Sequence, residues 1–526
     1  MEFTLLEVFL PLGLFVGVIV LTMLGYPVAL TLPGTAIIFA LVASQFGLFD
    51  LSYFGALPTR YWGVLTNEIL IAVPLFVFMG VMLQRSKIAD ALLETMGSLF
   101  GSRSGGLALS TIFVAALLAA STGIVGATVI TMGLISLPAM MKAGYDNRLS
   151  TGLICASGSL AQVIPPSTVL IFLAVILQGA YSEAQMAQGN FAPDTFSVGD
   201  IFAGALIPSL LIAGLYSVWV AFIAFFRPEA APPLPRAELQ YDSVVYKRAV
   251  NNIAPALLLI FAVLGSIIGG IATPTESAAV GAVGAIVLTM VKVIYEDLAR
   301  GRDEAKAEHW LFIFWLSFAG AVVLLGYTVG GVGVLNLLLF SLVACSAFIA
   351  VMKGLRSTVL GIIREVSGSS LIITCMVFTL FLGASVFSLV FARLGGEELV
   401  QAGLSAMPGG QMGAIFVVLF LMFFLGFFLD PFEIIFIVIP AAAPALLMMG
   451  VEPIWLAIMV GIVLQTSYLT PPFGFSLFFL RSVAPPEVRT GDIYRGIVPF
   501  VGIQLLCLAG VWMFPDLVMW LPKLIG

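Results

Sequence analysis

Apolar runs of about 20 residues alternate with short polar segments along most of the chain. A run of that length crosses the hydrocarbon core of a bilayer as one α-helix. The pattern therefore predicts an all-α polytopic membrane protein with about 12 spanning helices. The clearest uninterrupted runs are 6–24, 28–46, 69–83, 201–226, 253–271, 277–294, 370–391 and 497–521.

Two further apolar stretches are interrupted by a Pro-Pro pair, 149–178 at Pro165-Pro166 and 454–480 at Pro471-Pro472. Proline has no N–H and drives the preceding residue out of the α region, so carbonyls before each pair lose their helical partners. At membrane depth such carbonyls occur only where they are buried in protein or line a cavity. We therefore predict two broken helices whose unwound backbone forms part of a transport site. Simple kinks are the alternative.

Each broken helix follows an apolar segment, 104–141 or 411–450, that is too long for one crossing and rather short for two. The first segment has small residues at its centre, Ser121 to Thr128, and the second is interrupted at Leu429 to Glu433. We predict that both are re-entrant hairpins, each of which enters and leaves on the same side of the membrane.

The second hairpin and broken helix repeat the first ones 306 residues later. This single shift places Pro165-Pro166 on Pro471-Pro472, and Ile124 on Asp430. Internal repeats of this kind are typical of secondary transporters. The pattern therefore indicates a duplicated transporter with one hairpin and one broken helix in each copy.

The duplication divides the chain into a first repeat (1–226), a Pro-rich linker (227–252) and a second repeat (253–521). The second repeat contains an inserted helix pair, 310–352, that has no counterpart in the first. Four Lys and Arg residues place the linker in the cytoplasm, whereas the loop 179–200 has none and belongs outside. Following the crossings from these two points gives the two copies opposite orientations and places both termini on the external side.

The composition agrees with a membrane protein: 61% of the 526 residues are hydrophobic, 10% are charged, and the mean hydropathy is +1.15. The charges lie in loops and form no basic patch, so a nucleic-acid partner is not expected. The four cysteines occur singly in apolar runs, which indicates neither a disulfide framework nor a metal site.

His309 and the amphipathic segment 84–103 are expected at the membrane interface. The first apolar run lacks a basic flank and a cleavage site, and we expect it to be retained as a helix.

Four motifs follow one another along the chain: GSLAQVIPPS, ATPTESAAVGAV, FFLDPFEIIFIVIPAAAPAL and YLTPPFGFSLFFL. Together they resemble the DctM-like large membrane (permease) subunit of TRAP (tripartite ATP-independent periplasmic) transporters. The resemblance covers nearly the whole chain except 310–352. One departure is the Leu429 to Ile434 tip, because much of the family has a smaller Met-Asp-Gly there; this favours a subgroup for monocarboxylates such as 2-oxo acids.

The resemblance implies a sodium-driven, inverted-repeat transporter of the elevator type in a bacterial inner membrane. It also implies two protein partners: a small four-helix membrane subunit, and a periplasmic binding protein that delivers an organic acid. A stand-alone sodium/carboxylate symporter is the main alternative. An intramembrane enzyme or a scaffold is disfavoured, because the sequence has no GxSxG, HExxH or paired-aspartate arrangement.

Asp430 and Glu433 lie between two apolar runs, where an unpaired carboxylate costs about 2.5 to 3.5 kcal/mol on insertion scales. Sodium is a hard cation that takes oxygen ligands, and a carboxylate beside hydroxyls and freed carbonyls supplies them. We predict two sodium sites, each between a hairpin tip and a broken helix. The predicted ligands are Ser121, Thr122, Ser157 and Ser159 in the first site, and Asp430, Thr466, Ser467 and Thr470 in the second.

The half-helices that follow the breaks begin near Ser167 and Gly474, and their positive dipole ends are suited to a substrate carboxylate. The predicted substrate-binding residues are Gly158, Pro165, Pro166, Ser167, Pro471, Pro472 and Gly474.

Each of these assignments has a structural alternative. Asp430 precedes a proline and is also a good helix N-cap. Glu433 could face a crevice or a partner helix, and the serine and threonine hydroxyls could bond back to their own helices. The segment Thr273 to Glu276 is expected to be a turn between helices.

Overall fold

The structure, a computed structural model, describes residues 5–86, 92–93, 95–97, 100, 103–234, 243–300 and 358–525. In these ranges the regular elements are all helices, and ten of the helices are long and apolar enough to cross a membrane. The chain is therefore an all-helical, multi-pass membrane protein. The inserted pair 310–352, His309 and much of the segment 84–103 lie outside the described residues.

Nineteen α-helices are described, and short 3₁₀ turns add to them at 51–56, 160–162 and 228–230. The helices are α1 (Leu5–Met23), α2 (Val28–Gln45), α3 (Leu57–Leu65), α4 (Glu68–Arg85), α5 (Gly106–Thr122), α6 (Val125–Lys142), α7 (Asn147–Ser159), α8 (Thr168–Ala187), α9 (Val198–Phe226), α10 (Ser243–Ile268), α11 (Pro274–Arg300), α12 (Thr358–Arg393), α13 (Gly396–Ser405), α14 (Gly410–Leu425), α15 (Pro431–Met448), α16 (Pro453–Leu469), α17 (Phe475–Val483), α18 (Thr490–Met513) and α19 (Asp516–Ile525).

Several helix boundaries differ from the sequence prediction. Helix α8 continues to Ala187, past the predicted end at 178, and α12 begins at Thr358, before the predicted run 370–391. Helix α10 begins at Ser243, inside the predicted linker 227–252, because residues 236–254 contain no Pro or Gly and the charges there do not prevent a helix. The predicted run 497–521 is two helices, since α18 ends at Met513 and α19 starts after Pro515, which cannot continue the hydrogen-bond ladder. The turn 273–276 is confirmed, with Thr273 capping α11 through Glu276.

The helices form two groups. In the first, α11 packs along α4, and α12 packs along α2 and α4. In the second, α5 and α6 pack on α7, α14 packs on α16, and α18 packs on α7. The predicted duplication relates two helix contacts within the second group. In one contact α15 packs on α8, and in the other α6 packs on α17.

The first predicted hairpin, 104–141, is the helix pair α5–α6, and both of its ends lie at the same end of the molecule. The Gly105 N–H, before α5, donates to the Ala231 carbonyl at 2.9 Å, and the Asp146 N–H, after α6, donates to the Ala230 carbonyl at 3.0 Å. Because these acceptors lie at the start of the linker, we call this the linker end of the molecule. The chain enters and leaves hairpin α5–α6 there.

The second predicted hairpin, 411–450, is the pair α14–α15, and its base lies at the opposite end. The first broken helix starts at the linker end and finishes after α8, where the Gln188 side chain donates to the Met448 carbonyl at 2.9 Å. Met448 is the last residue of α15. The second broken helix returns to the linker end, where Asp492 at the start of α18 lies 3.5 Å from Arg148 of α7. The two hairpins therefore point in opposite directions, as an inverted duplication requires.

Candidate transport site

The first break lies between α7 and α8, with the tip of hairpin α5–α6 against it. Gly123 forms the tip in a left-handed conformation (φ 60°), which a residue without a Cβ adopts at little cost. Its carbonyl accepts a hydrogen bond from the Thr168 hydroxyl at 2.9 Å. A Cβ on Gly123 would stand 3.2 Å from the Thr168 nitrogen, so the tip and the start of α8 are in close contact.

At the second break, the broken helix likewise contacts the tip of the hairpin that precedes it. The Tyr468 hydroxyl, near the end of α16, donates to the Asp430 carboxylate at 3.4 Å, at the tip of hairpin α14–α15. The rings of Phe428 and Phe473 lie 5.5 Å apart across the same contact. Gly426 lies so close to Ser467 that a Cβ there would overlap its side chain. Each break is thus in contact with the tip of the hairpin that precedes it in sequence.

As predicted, the Pro-Pro pairs leave backbone carbonyls without the N–H donors that a continuous helix would provide. Both Pro-Pro peptide bonds are cis. Because Pro165 and Pro166 have no N–H, the carbonyls of Ala161 and Gln162 lack their i+4 donors. The Ser167 hydroxyl donates to the Gln162 carbonyl at 2.6 Å, and Ser167 also caps α8. The first break is therefore partly satisfied by its own serine.

The two breaks differ in exposure. Pro165, Pro166 and Ser167 are buried, as is every residue from 149 to 174. Pro471 is half-buried, Pro472 is exposed, and Gly474 at the start of α17 is buried. Gly158 packs directly on Val129 of hairpin α5–α6, so this predicted substrate residue lies in a helix contact.

Asp430 is the N-cap of α15, and it makes the reciprocal hydrogen bonds of a capping box. Its carboxylate accepts from the Phe432 N–H at 3.1 Å, while Glu433 accepts from the Asp430 N–H at 2.9 Å. The capping alternative is therefore observed. No Lys or Arg of the described chain forms an ion pair with either carboxylate. The Asp430 charge is thus offset only by N–H and O–H dipoles, and it leaves an unneutralised carboxylate beside the second break.

The hydroxyls predicted as sodium ligands all donate to carbonyls of their own helices, at 2.7–2.9 Å. This back-bonding uses the hydroxyl proton and leaves the oxygen able to accept or to bind a cation. Ser159 is the exception, because its oxygen already accepts from the side-chain amides of Gln465 and Gln504. In the first hairpin the oxygen of Thr122 also lies 3.0 Å from that of Thr128. The hydroxyls concerned are those of Ser121, Thr122, Ser157, Ser159, Thr466, Ser467 and Thr470.

A buried polar cluster that we did not predict lies where the two copies meet. The side-chain amides of Gln465 and Gln504 donate to the Ser159 hydroxyl at 3.3 and 3.4 Å, and Gln504 also donates to the Tyr216 hydroxyl at 2.8 Å. All four residues are fully buried. Gln465 stands 306 residues after Ser159, so the two positions related by the predicted shift touch each other. The sequence feature that could have predicted this cluster is a glutamine in each of two apolar helices, α16 and α18.

A shifted carboxyl group lies outside the spanning helices, at the end opposite the linker. The pKa of Glu397, in α13, is raised to about 7, chiefly by burial and further by the nearby carboxylates of Glu183 and Glu398, against the opposing effect of Arg60 and Arg393. Arg393 also stacks over the Tyr53 ring at 4.6 Å. This charged group borders the base of hairpin α14–α15, since α13 packs on α15.

Comparison with known families identifies the family of the chain. Residues 15–383 and 296–517 match the model of the family described as "Tripartite ATP-independent periplasmic transporter, DctM component". The chain belongs to this family. It is therefore a TRAP transporter large permease, and the resemblance noted in its four motifs is confirmed.

Relatives of this TRAP permease match it end to end. The C4-dicarboxylate TRAP transporter large permease protein DctM of Vibrio cholerae is 27% identical over 97% of each chain. The ectoine/5-hydroxyectoine large permease protein UehC of Ruegeria pomeroyi is 26% identical, over 97% of this chain and 98% of its own. In fold, the YdaH transporter of Alcanivorax borkumensis is similar with a TM-score of 0.53 over 90% of each chain, at 14% identity. These relatives are transporter permeases and not enzymes.

Proposed function

We propose that this permease imports an organic acid anion together with sodium ions, as the large subunit of a tripartite transporter in a bacterial inner membrane. One observation carries the proposal: each broken helix meets the tip of its own hairpin, and the two hairpins point in opposite directions. Inverted pairs of this kind form central sites that can open alternately to the two sides of a membrane.

Sodium coupling is supported by the chemistry of the second break. Asp430 is a carboxylate without an ion-pair partner in the described chain, and the oxygens of Thr466, Ser467 and Thr470 follow on the adjoining helix. A monovalent hard cation would neutralise that charge and accept oxygen ligands. The first site would use the oxygens of the α5–α6 tip and of the first break in the same way.

The substrate would bind near the half-helix starts at Ser167 and Gly474. The hydrogen bonds described at the two breaks involve no Lys or Arg side chain. An anion there would be held by N–H groups, hydroxyls and helix dipoles. The relatives named for C4-dicarboxylates and for ectoine support a carboxylate-bearing substrate. The departure at the Leu429 to Ile434 tip is our reason to place 2-oxo acids first among the candidates.

Two partners and one motion complete the proposal. The family is defined by a tripartite transporter, which supports a small four-helix membrane subunit and a periplasmic binding protein as partners. The two helix groups support an elevator mechanism, in which the group that carries both breaks moves against the group of α2, α4, α11 and α12. The binding protein would deliver the anion at the end opposite the linker.

Reconstitution tests the function directly. We expect proteoliposomes that contain this permease, its small subunit and its binding protein to accumulate a radiolabelled organic acid under an inward sodium gradient. The acid is chosen from a panel of 2-oxo acids, dicarboxylates and ectoine. Accumulation should vanish when choline replaces sodium. Uptake without the binding protein would instead favour a stand-alone symporter, and no accumulation of any acid with both partners present would contradict the proposal.

A further inference from the structure

Gln162 is a buried polar residue at the first break that no assignment above uses. It ends the short 3₁₀ turn 160–162, which packs against both arms of hairpin α5–α6 and against α16. The residue is 1% exposed. Its side-chain oxygen, Oε1, has no hydrogen-bond partner in the described part of the chain.

A buried amide oxygen without a donor is unusual, because burial removes its hydrogen bonds to water and no protein donor replaces them. A bound ion with positive charge, or a group that donates a hydrogen bond, would remove this free-energy cost. The neighbouring backbone adds a second oxygen of the same kind, since the carbonyl of Ala161 has no i+4 donor at Pro165. The first break therefore presents two neutral oxygens in one buried turn.

The internal duplication indicates what these oxygens are for. The shift of 306 residues places Gln162 on Tyr468, and Ile124 on Asp430. In the second copy the hairpin tip supplies the charged oxygen, and Tyr468 of the broken helix donates to it. In the first copy the tip position is an isoleucine, and the broken helix carries an amide with a free oxygen. The first copy thus carries its oxygen on the broken helix, whereas the second copy carries it on the hairpin tip.

We propose that the Gln162 Oε1 atom is a ligand of the sodium ion in the first site, a neutral counterpart of Asp430. This assignment rests on the proposed sodium coupling. Oxygen is the ligand atom that hard cations prefer, and the amide supplies it without a second buried negative charge. The first ion would then be held by neutral oxygens only, whereas the second has a carboxylate.

Sodium-dependent thermal stability of the purified full chain tests the assignment without a transport assay. Unfolding is followed at rising NaCl, with choline chloride keeping ionic strength constant. The variants are Gln162→Leu, which removes the oxygen at similar size, and Gln162→Glu, which adds a charge. Tyr145→Phe is the control, because it also removes a buried side-chain oxygen, but at the linker end after α6.

We expect Gln162→Leu to raise the sodium concentration for half-maximal stabilisation about tenfold, and Gln162→Glu to lower it severalfold; Tyr145→Phe should leave it unchanged. In reconstituted uptake, Gln162→Leu should also lower the Hill coefficient for sodium. An unchanged midpoint in Gln162→Leu overturns the assignment while sodium coupling stands. If that variant does not fold, an unchanged midpoint in Gln162→Glu overturns it. Absence of sodium-specific stabilisation in the wild type would overturn sodium coupling, and this assignment with it.

Discussion

Single residues give the two breaks different chemistry. The second break has the Asp430 carboxylate at its hairpin tip, and the first has Ile124 at the matching position. Asp430 serves two purposes, since one carboxylate both caps α15 and accepts from Tyr468. A capping role alone does not require a charge, because asparagine caps helices about as well as aspartate. That difference separates the structural role of Asp430 from its proposed role in ion binding.

Replacing Asp430 by asparagine should therefore leave the fold and weaken sodium binding. The cap at the start of α15 is retained, while the negative charge is lost. We expect the sodium concentration for half-maximal uptake to rise by roughly tenfold, which corresponds to about 1.4 kcal/mol. Size-exclusion elution and assembly with the small subunit should not change. Asp516→Asn, which removes an exposed carboxylate beside Lys523, serves as the control. Unchanged sodium activation in Asp430→Asn would remove Asp430 from the ion site.

Glu397 predicts a pH dependence of stability at the end opposite the linker. Burial raises its pKa to about 7 from the ordinary value of 4.5, so the folded protein favours the protonated form. The folded state then holds a proton that the unfolded state releases, and stability falls as pH rises from about 4.5 through 7. We expect the unfolding temperature of the wild type to drop more between pH 5 and pH 8 than that of Glu397→Gln. Glu398→Gln removes one of the carboxylates that raise this pKa, so its drop should lie between those of the wild type and Glu397→Gln; equal pH profiles for all three would contradict the assignment.

At the scale of helices, the sequence predicted those elements whose cause is local. Proline pairs and overlong apolar segments are local signals, and the broken helices and hairpins lie within a few residues of their predicted bounds, except that the first broken helix continues to Ala187 instead of ending at 178. Helix α10 was missed at its start because Lys247 and Arg248 were interpreted as linker charges. Asp430 was found because a carboxylate contrasts with an apolar run, whereas Gln162 and Gln465 are neutral and were not noticed. Their importance arises from burial and from partners far along the chain, and neither can be deduced from composition.

The contact between α7 and α18 is a close approach that glycine makes possible. A Cβ on Gly152 of α7 would overlap the Gly496 carbonyl, and a Cβ on Gly496 would overlap the Arg148 carbonyl. Both helices border the polar cluster of Ser159 and Gln504. The pair of glycines thus sets the distance at which the first broken helix packs on the last long helix.

Gly152→Ala should therefore destabilise the protein. The added methyl must push two helix backbones apart, and overpacking of this kind costs about 1–3 kcal/mol. Gly502→Ala is the matched control, because Gly502 lies in α18 with open space around its Cα, where alanine favours a helix. We expect a lower unfolding temperature in detergent for Gly152→Ala, and an equal or higher one for Gly502→Ala. Equal behaviour of the two variants would show that the close approach does not limit packing.

At the scale of the whole molecule, the group with both breaks contacts the other group through few polar links among the described residues. The clearest is Gln84 of α4, whose amide donates to the Ala127 carbonyl at 3.3 Å and to the Thr131 hydroxyl on hairpin α5–α6. Gly80, one turn earlier, lies against Thr122 at the hairpin tip. An elevator motion would break these contacts and form others, because the hairpin would slide along α4.

A reversible cross-link between α4 and the hairpin tests that motion. In a chain without its four native cysteines, Gln84→Cys and Thr131→Cys would be joined by a short thiol-reactive linker. The control pair is Ser266→Cys with Ser277→Cys, whose hydroxyl oxygens lie 2.9 Å apart on the adjacent helices α10 and α11. Both pairs replace side chains that are in contact, but only the first joins the two helix groups.

We expect the link between positions 84 and 131 to stop uptake in proteoliposomes and reduction of the linker to restore it. The link between positions 266 and 277 should leave uptake close to that of the unlinked chain. Sodium-dependent stabilisation should persist in both linked proteins, because the proposed ion sites lie within the group that carries the breaks. If the chain linked at 84 and 131 transports at the unlinked rate, hairpin α5–α6 does not move along α4. Transport would then have to proceed by local opening of the hairpin tips, with the two helix groups fixed.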